Sequence, residues 1–165
     1  MERLGADLDR TFKRCASKGG PLPKMRIAIG RLSPKVAAQI EKAFRRAGVK
    51  LDDEIKGTPR DVDIQEARYT YKSHGNEKSE ADRGQIAITA DDWALIPDIT
   101  DSPDLVTYER ETDQGLPGIV YWKRVNGTIY YVLQARTQQQ TLSAVTMRKY
   151  KTNKLLERRL RDAEP

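Results

Sequence analysis

A single histidine, His74, stands in 165 residues, inside the polar stretch "YKSHGNEKSEADRG" just ahead of the apolar run "QIAI". Imidazole is the side chain whose unperturbed charge changes near neutral pH. Acid–base chemistry at that pH would therefore centre on this ring. The other chemistry-bearing groups are cations and hydroxyls: Arg83, Lys123, Arg136, Thr146 and Arg148. One histidine with cations and a threonine suits phosphodiester cleavage in which the neighbouring ribose 2′-hydroxyl is the nucleophile. That reaction needs a proton carrier and charge stabilisation on phosphate, and needs no metal ion. Arg and Lys hold phosphate oxygens, and a Thr hydroxyl can donate to a non-bridging oxygen. The plain alternative is structural. Lys123 would be an exposed hairpin residue, Arg136 a salt-bridge partner, Thr146 a strand former, and His74 a polar residue on a surface turn.

Several other chemistries lack their signatures. Neither a Walker loop nor a dinucleotide glycine fingerprint is present. One cysteine, Cys15, excludes an internal disulfide and a Cys-based zinc site. Nothing near Cys15 would serve as its base. A Ser-His-Asp arrangement would need His74 with Ser79 or Ser143, and no elbow motif surrounds either serine. Asp91, Asp92, Asp98, Asp101 and Asp104 could be imagined around magnesium, but caps and turns explain them more simply. No cofactor or metal is expected.

The elements that must carry these groups follow from periodicity. Leu4, Leu8 and Phe12 suggest a short helix over residues 1–19, broken by "GGPLPK". "MRIAIGRL" reads as a strand. The next helix has Ser33 as N-cap and Pro34 at its first position, with Val36, Ile40 and Phe44 on one face and Gly48 ending it. After the polar "KLDDEIKGTPRD", the stretch "VDIQEARYTYKSHG" reads as a second helix, stopped by Gly75. "QIAIT" suits a strand end. "TADDWALIPDI" suits a helix capped by Thr89 and ended or kinked by Pro97, and residues 101–104 a turn. "LVTYER" begins a run of strands. In "GIVYWKRVNGTIYYVLQAR", Asn126-Gly127 is a type I′ turn pair between two strands. Pairing Val125 with Thr128 sets Lys123 opposite Tyr130 and Tyr121 opposite Val132. Alternation places Tyr121 with Lys123, Gln134 with Arg136, and Thr146 with Arg148. "TLSAVTMRKY" is a further strand, and the tail from Asn153 a basic helix or frayed end. The expected architecture is α+β: N-terminal helices packed on a roughly four-stranded antiparallel sheet.

Charge is distributed unevenly. Residues 1–50 carry a surplus of nine positive charges and residues 116–165 a surplus of seven, around an acidic middle in which residues 75–115 total −8. The net charge is +6. Basic ends brought together would suit a polyanion, and a sheet bearing rings among cations suits RNA. No stretch approaches the ~18 apolar residues of a membrane span, so no membrane role is expected.

The stretches "SHGNEKSEADRGQIAITADDWALIPDITDSPD", "IVYWKRVNGTIYYVLQAR" and "TLSAVTMRKY" resemble a phage-encoded nuclease family grouped with barnase, EndoU, the tRNase colicins and RelE. His74-Gly75, Arg83-Gly84, the "IPDI…SPD" segment and Thr146-Met147 carry the likeness. It spans residues 25–150, leaving 1–24 as a helix or linker and 151–165 as a basic tail or helix. The resemblance implies a toxin-like endoribonuclease leaving a 2′,3′-cyclic phosphate. His74, Arg83, Lys123, Arg136 and Thr146 would then be catalytic. Tyr121, Tyr130, Arg148 and Lys149 would bind substrate, and Glu80 would orient a cation or the imidazole. An acidic residue is expected near Gln134 and is missing. RNA, with tRNA as one candidate, and an acidic immunity or antitoxin protein are the implied partners. The implied site of action is the cytoplasm, reached from a phage particle or as part of a larger protein. The rival readings are a non-catalytic nucleic-acid-binding or assembly module of a phage particle, and an ADP-ribosyl transferase. The second would need a dinucleotide pocket, for which no signature exists.

Overall fold

The structure is a computed structural model that describes Arg10 and residues 25–51, 54–89, 91–109, 117–152 and 154–162. Apart from Arg10, the helix expected over residues 1–19 lies outside the described residues, as do Cys15 and residues 111–116 of "ETDQGLPG", the loop in which substrate choice is expected to reside.

Strand β1 (Arg26–Arg31) leads to helix α1 (Pro34–Arg46). Ser33 caps that helix by accepting from the Val36 N–H at 3.3 Å, and Pro34 occupies its first turn. Val36, Ile40 and Phe44 are buried along one stripe, as their spacing requires. Strand β2 (Pro59–Asp63) precedes α2 (Ile64–His74). Val62 and Asp63 thus belong to a strand, and the second helix starts two residues later than its sequence pattern suggests. Asp63 caps it by accepting from the Gln65 N–H at 2.8 Å. A short helix α3 (Glu77–Asp82) follows. "QIAIT" contributes one bridge, Ile86 to Lys149, rather than a full strand. Residues Asp91–Leu95 form a 3₁₀ turn that runs into α4 (Ile96–Asp101). Pro97 sits in the first turn of α4, where its missing N–H costs nothing. Strands β3 (Leu105–Glu109), β4 (Gly118–Val125), β5 (Thr128–Arg136) and β6 (Leu142–Lys151) complete the sheet, and α5 (Lys154–Asp162) follows. No described helix is long and apolar enough to cross a membrane.

The class is α+β, but the sheet has six strands in the order β1-β2-β6-β5-β4-β3, not four. It is mixed, because β2 pairs with β6 in parallel. The helices are interleaved with strands rather than gathered at the N-terminus. The extra pair comes from "PRDVD", whose strand signal is weak and whose partner lies 82 residues away along the chain, Arg60 opposite Leu142. The β4–β5 hairpin has the expected register, with Lys123 opposite Tyr130 and Tyr121 opposite Val132. Asn126 and Gly127 have φ of 48° and 75°, the values a type I′ turn demands.

One sheet face carries Ile119, Tyr121, Tyr130, Val132 and Met147 into the core with α1 and the segment from Trp93 to Ile99. Buried Arg60 ties β2 to the end of α4. It donates to Thr100 Oγ1 at 2.6 Å and pairs with the Asp101 carboxylate. The opposite face carries Trp122, Tyr131, Arg148 and Tyr150, since Tyr131 pairs with Arg148 and Trp122 with Tyr131.

Candidate active site

Helix α2 runs on from β2 along the β6 edge, which β2 leaves uncovered beyond Ala144. Thr70, on its buried face, donates from Oγ1 to the Val145 carbonyl at 3.0 Å and lies 3.4 Å from Thr146 Oγ1. Val145 is the extra residue where the register slips between Leu133 and Gln134, and such a bulge re-aims the side chains beside it. His74 lies four residues beyond Thr70, on the same helix face and about 6 Å further along the axis.

The imidazole meets a buried carboxylate. His74 Nδ1 is 3.1 Å from Glu80 Oε2, and Glu80 is 0 % exposed. The other oxygen of Glu80 accepts from Arg83 Nη1 at 2.7 Å. Arg83 also donates to the Ser73 carbonyl at 3.2 Å, while its side chain remains 52 % exposed. One carboxylate therefore holds both the ring and a guanidinium whose outer part reaches solvent. Backbone geometry builds this local unit. Asn76 caps α3 by accepting from the Ser79 N–H at 3.0 Å, which turns Glu80 inward. The His74 carbonyl accepts from the Ile88 N–H at 2.9 Å. Gly75 is required by close approach, since a Cβ there would meet the Tyr71 carbonyl oxygen at 2.5 Å.

Three of the expected catalytic residues, His74, Arg83 and Thr146, are thus gathered at the end of α2, with Glu80 between the first two. Arg148 is on the same side, two residues beyond Thr146. Its guanidinium carbon lies 5.4 Å from the Tyr131 ring centroid, and its Nε is buried without a hydrogen-bond partner among the described residues.

Five expected site residues are placed elsewhere. Tyr121 is fully buried in the core, so it offers no surface to a base; burial pushes its hydroxyl above the ordinary tyrosine range. Tyr130 is buried too and donates to Asp92 Oδ1 at 2.7 Å. Lys149 is occupied by Asp92 Oδ2 at 3.0 Å and lies 5.7 Å from the Tyr130 ring centroid. Lys123 shares that core-side face and donates from Nζ to Ser102 Oγ at 3.0 Å. Arg136 pairs with Leu142, six residues before Arg148 along β6, or about 20 Å away. It donates to Gln140 Oε1 at 2.5 Å. The register was right and the face was wrong. Both faces of β4 are apolar, so alternation along the strand gives no sign of which meets the core.

Asp92 organises the inner face. Burial would raise its carboxyl, but the Thr89 N–H, Tyr130 and Lys149 overturn that and hold it below the ordinary aspartate range. Thr89 does not cap through its hydroxyl, which donates to Asp92 Oδ2 at 3.0 Å beside its N–H at 2.7 Å; its carbonyl accepts from the Asp92 N–H at 3.2 Å. Asp104 accepts from the Arg124 N–H at 2.7 Å. Asp92, Asp101 and Asp104 therefore face separate partners. Among the described residues, no three His, Cys, Asp or Glu side chains form a group that could hold a metal ion.

Sequence reasoning missed Thr70, Trp122, Tyr131 and Tyr150. Thr70 was within reach of helical spacing, being i−4 from His74. Trp122 and Tyr131 meet edge-on at 5.1 Å, and Trp122 lies tilted over Tyr150 at 6.1 Å. That aromatic group continues from Arg148 across the outer face. The deficit expected at Gln134 has a structural counterpart. Its amide is buried with neither the oxygen nor the nitrogen hydrogen-bonded.

Residues 34–157 fit the family model described as phage-Barnase-EndoU-ColicinE5/D-RelE like nuclease 3. No curated protein and no solved structure matches the chain.

Proposed function

Because the chain belongs to the phage-Barnase-EndoU-ColicinE5/D-RelE like nuclease family, we propose that it is an endoribonuclease that cleaves by transesterification. The 2′-hydroxyl of one ribose attacks the adjacent phosphorus. The O2′–P bond forms, the P–O5′ bond breaks, and the products are a 2′,3′-cyclic phosphate and a 5′-hydroxyl. With Nδ1 donating to Glu80, His74 Nε2 is the atom left to accept the 2′-hydroxyl proton, and Glu80 then balances the imidazolium. Arg83 and Arg148 stabilise the charge that grows on the phosphate oxygens. Thr146, placed by Thr70, donates to one of them. The departing O5′ takes its proton from water. The nucleophile belongs to the substrate, so the chemistry calls for no metal ion.

The observation that carries this reading is the shared carboxylate. Burying Glu80 between an imidazole and an arginine is costly unless both contacts are kept, and the ring it holds is one turn from a pair of threonine hydroxyls. RNA is the substrate class because deoxyribose lacks the nucleophile. tRNA is a candidate within that class, and an acidic inhibitor would complement the chain's net charge of +6.

The test uses matched RNA and DNA oligonucleotides, with and without EDTA. RNA alone should be cut, equally well in EDTA, with a cyclic phosphate at the new 3′ end. His74→Ala should lose the acid–base factor of about 10²–10⁴. Full activity in that variant, or DNA cut as readily as RNA, overturns the mechanism. RNA that is bound but left intact points instead to a non-catalytic nucleic-acid module.

A further inference from the structure

The outer sheet face next to His74 carries more than the reaction uses. Thr146, Arg148 and Tyr150 alternate onto it along β6, and Trp122 and Tyr131 join them from β4 and β5. Trp122 and Tyr150 are half-buried, so each keeps part of its ring open. Arg124, one pair further along the hairpin, pairs with Glu157 of α5. This ion pair ties α5 to the end of that face. Leu160 is its buried anchor.

The outward side of α5 is cationic. Lys154, Arg158 and Arg161 fall at i, i+4 and i+7, one stripe along the helix about 10 Å long, and all three are exposed. Between Arg148 and Asp162 there are seven basic and two acidic side chains. One acid, Glu157, is taken by Arg124, and the other, Asp162, lies 3.6 Å from Arg158 at the exposed end. Arg158 and Arg161 lie beyond the matched family segment, which ends at residue 157. A stripe of this kind next to open rings is complementary to a strand that carries phosphates on one side and bases on the other.

We propose that this face is a binding track for a single RNA strand, with bases on Trp122 and Tyr150 and about two or three phosphates on Lys154, Arg158 and Arg161. It rests on the ribonuclease reading and extends it, leading the strand from the scissile bond near His74 away along α5. Single-stranded RNA is favoured over duplex because rings can stack only on bases that are not already stacked on both sides.

The track is tested with a 2′-O-methyl oligoribonucleotide, which lacks the nucleophile, so binding is read without cleavage. Affinity is measured across a salt series for the full chain, for the triple variant Lys154→Ala, Arg158→Ala, Arg161→Ala, and for Tyr150→Leu. Thermal melting shows that each variant is folded. Losing up to three phosphate contacts should flatten the slope of log affinity against log salt by about 2. Tyr150→Leu should weaken binding about tenfold with little change in slope. An unchanged slope in the triple variant overturns the track, as does an unmodified chain that fails to bind the oligonucleotide. Equal losses on blunt RNA duplex overturn the single-strand assignment. A chain that binds as expected but cuts no RNA keeps the track and loses the ribonuclease. A chain that cuts RNA while the triple variant keeps its slope does the reverse.

Discussion

Glu80→Gln probes the centre of the proposed site. The substitution keeps the size and planarity of the side chain and removes its charge. Gln can still accept from Arg83 Nη1, now at 2.7 Å from its carboxylate oxygen. Facing His74 Nδ1, however, it presents an NH₂ group. The ring would then accept at Nδ1 and carry its proton on Nε2, the wrong tautomer for taking a proton from the 2′-hydroxyl. It would also lose the negative charge that balances the imidazolium. Structurally, the bond to His74 becomes neutral and the bond from Arg83 keeps only the charge of its donor, changes of about 1 kcal/mol each. The Arg83 share is discounted because half of that side chain is in solvent, and relief from burying a carboxylate offsets part of the rest. A net loss of about 1–2 kcal/mol corresponds to a melting temperature lowered by about 2–8 °C, which leaves the chain folded at 25 °C. Catalysis should suffer far more: kcat should fall by about 10²–10⁴, with KM little changed, since Glu80 is not expected to touch the substrate. Steady-state cleavage of a fluorogenic RNA and a melting curve on the same preparation give both numbers. If kcat stays within about threefold of the parent while the melting temperature drops, Glu80 is only a structural brace. The assignment of His74 as its charge would then be wrong.

Gly75→Ala should destabilise the end of α2 by about 1–3 kcal/mol and reduce cleavage, because the new Cβ would meet the Tyr71 carbonyl at 2.5 Å; calorimetry showing no loss would mean the turn relaxes freely. Asp92 is held below the ordinary aspartate range, so its contribution to stability is complete above that range and fades as pH falls through its lower folded value. The stability gap between the parent and Asp92→Asn, from urea unfolding, should therefore be largest near neutral pH and shrink toward pH 3. A gap that widens on acidification refutes the assignment. Gln134→Leu removes two buried amide atoms that lack partners and should be neutral or stabilising by about 1 kcal/mol; a loss of several kcal/mol would mean that the amide is satisfied in solution.

Local patterns in the chain were enough for the elements whose determinants are local. Ser33-Pro34 and the Val36, Ile40, Phe44 stripe specify α1, and Asn126-Gly127 specifies the β4–β5 hairpin down to its register. The lone histidine, together with Arg83, Thr146 and the likeness around them, picked out residues that the fold gathers at the end of α2. Glu80 was also within reach, though only as a partner for one group or the other. Tertiary packing decided the rest. The parallel pairing of β2 with β6 joins residues 82 apart, and no short window of sequence encodes it. The side of the hairpin that meets the core depended on where Trp93, Ile96 and Ile99 pack. Strand alternation says which residues share a face, but when both faces are apolar it does not say which face is covered. That single choice sent Tyr121 and Tyr130 inward and put Trp122, Tyr150 and Arg148 on the face that also carries Thr146.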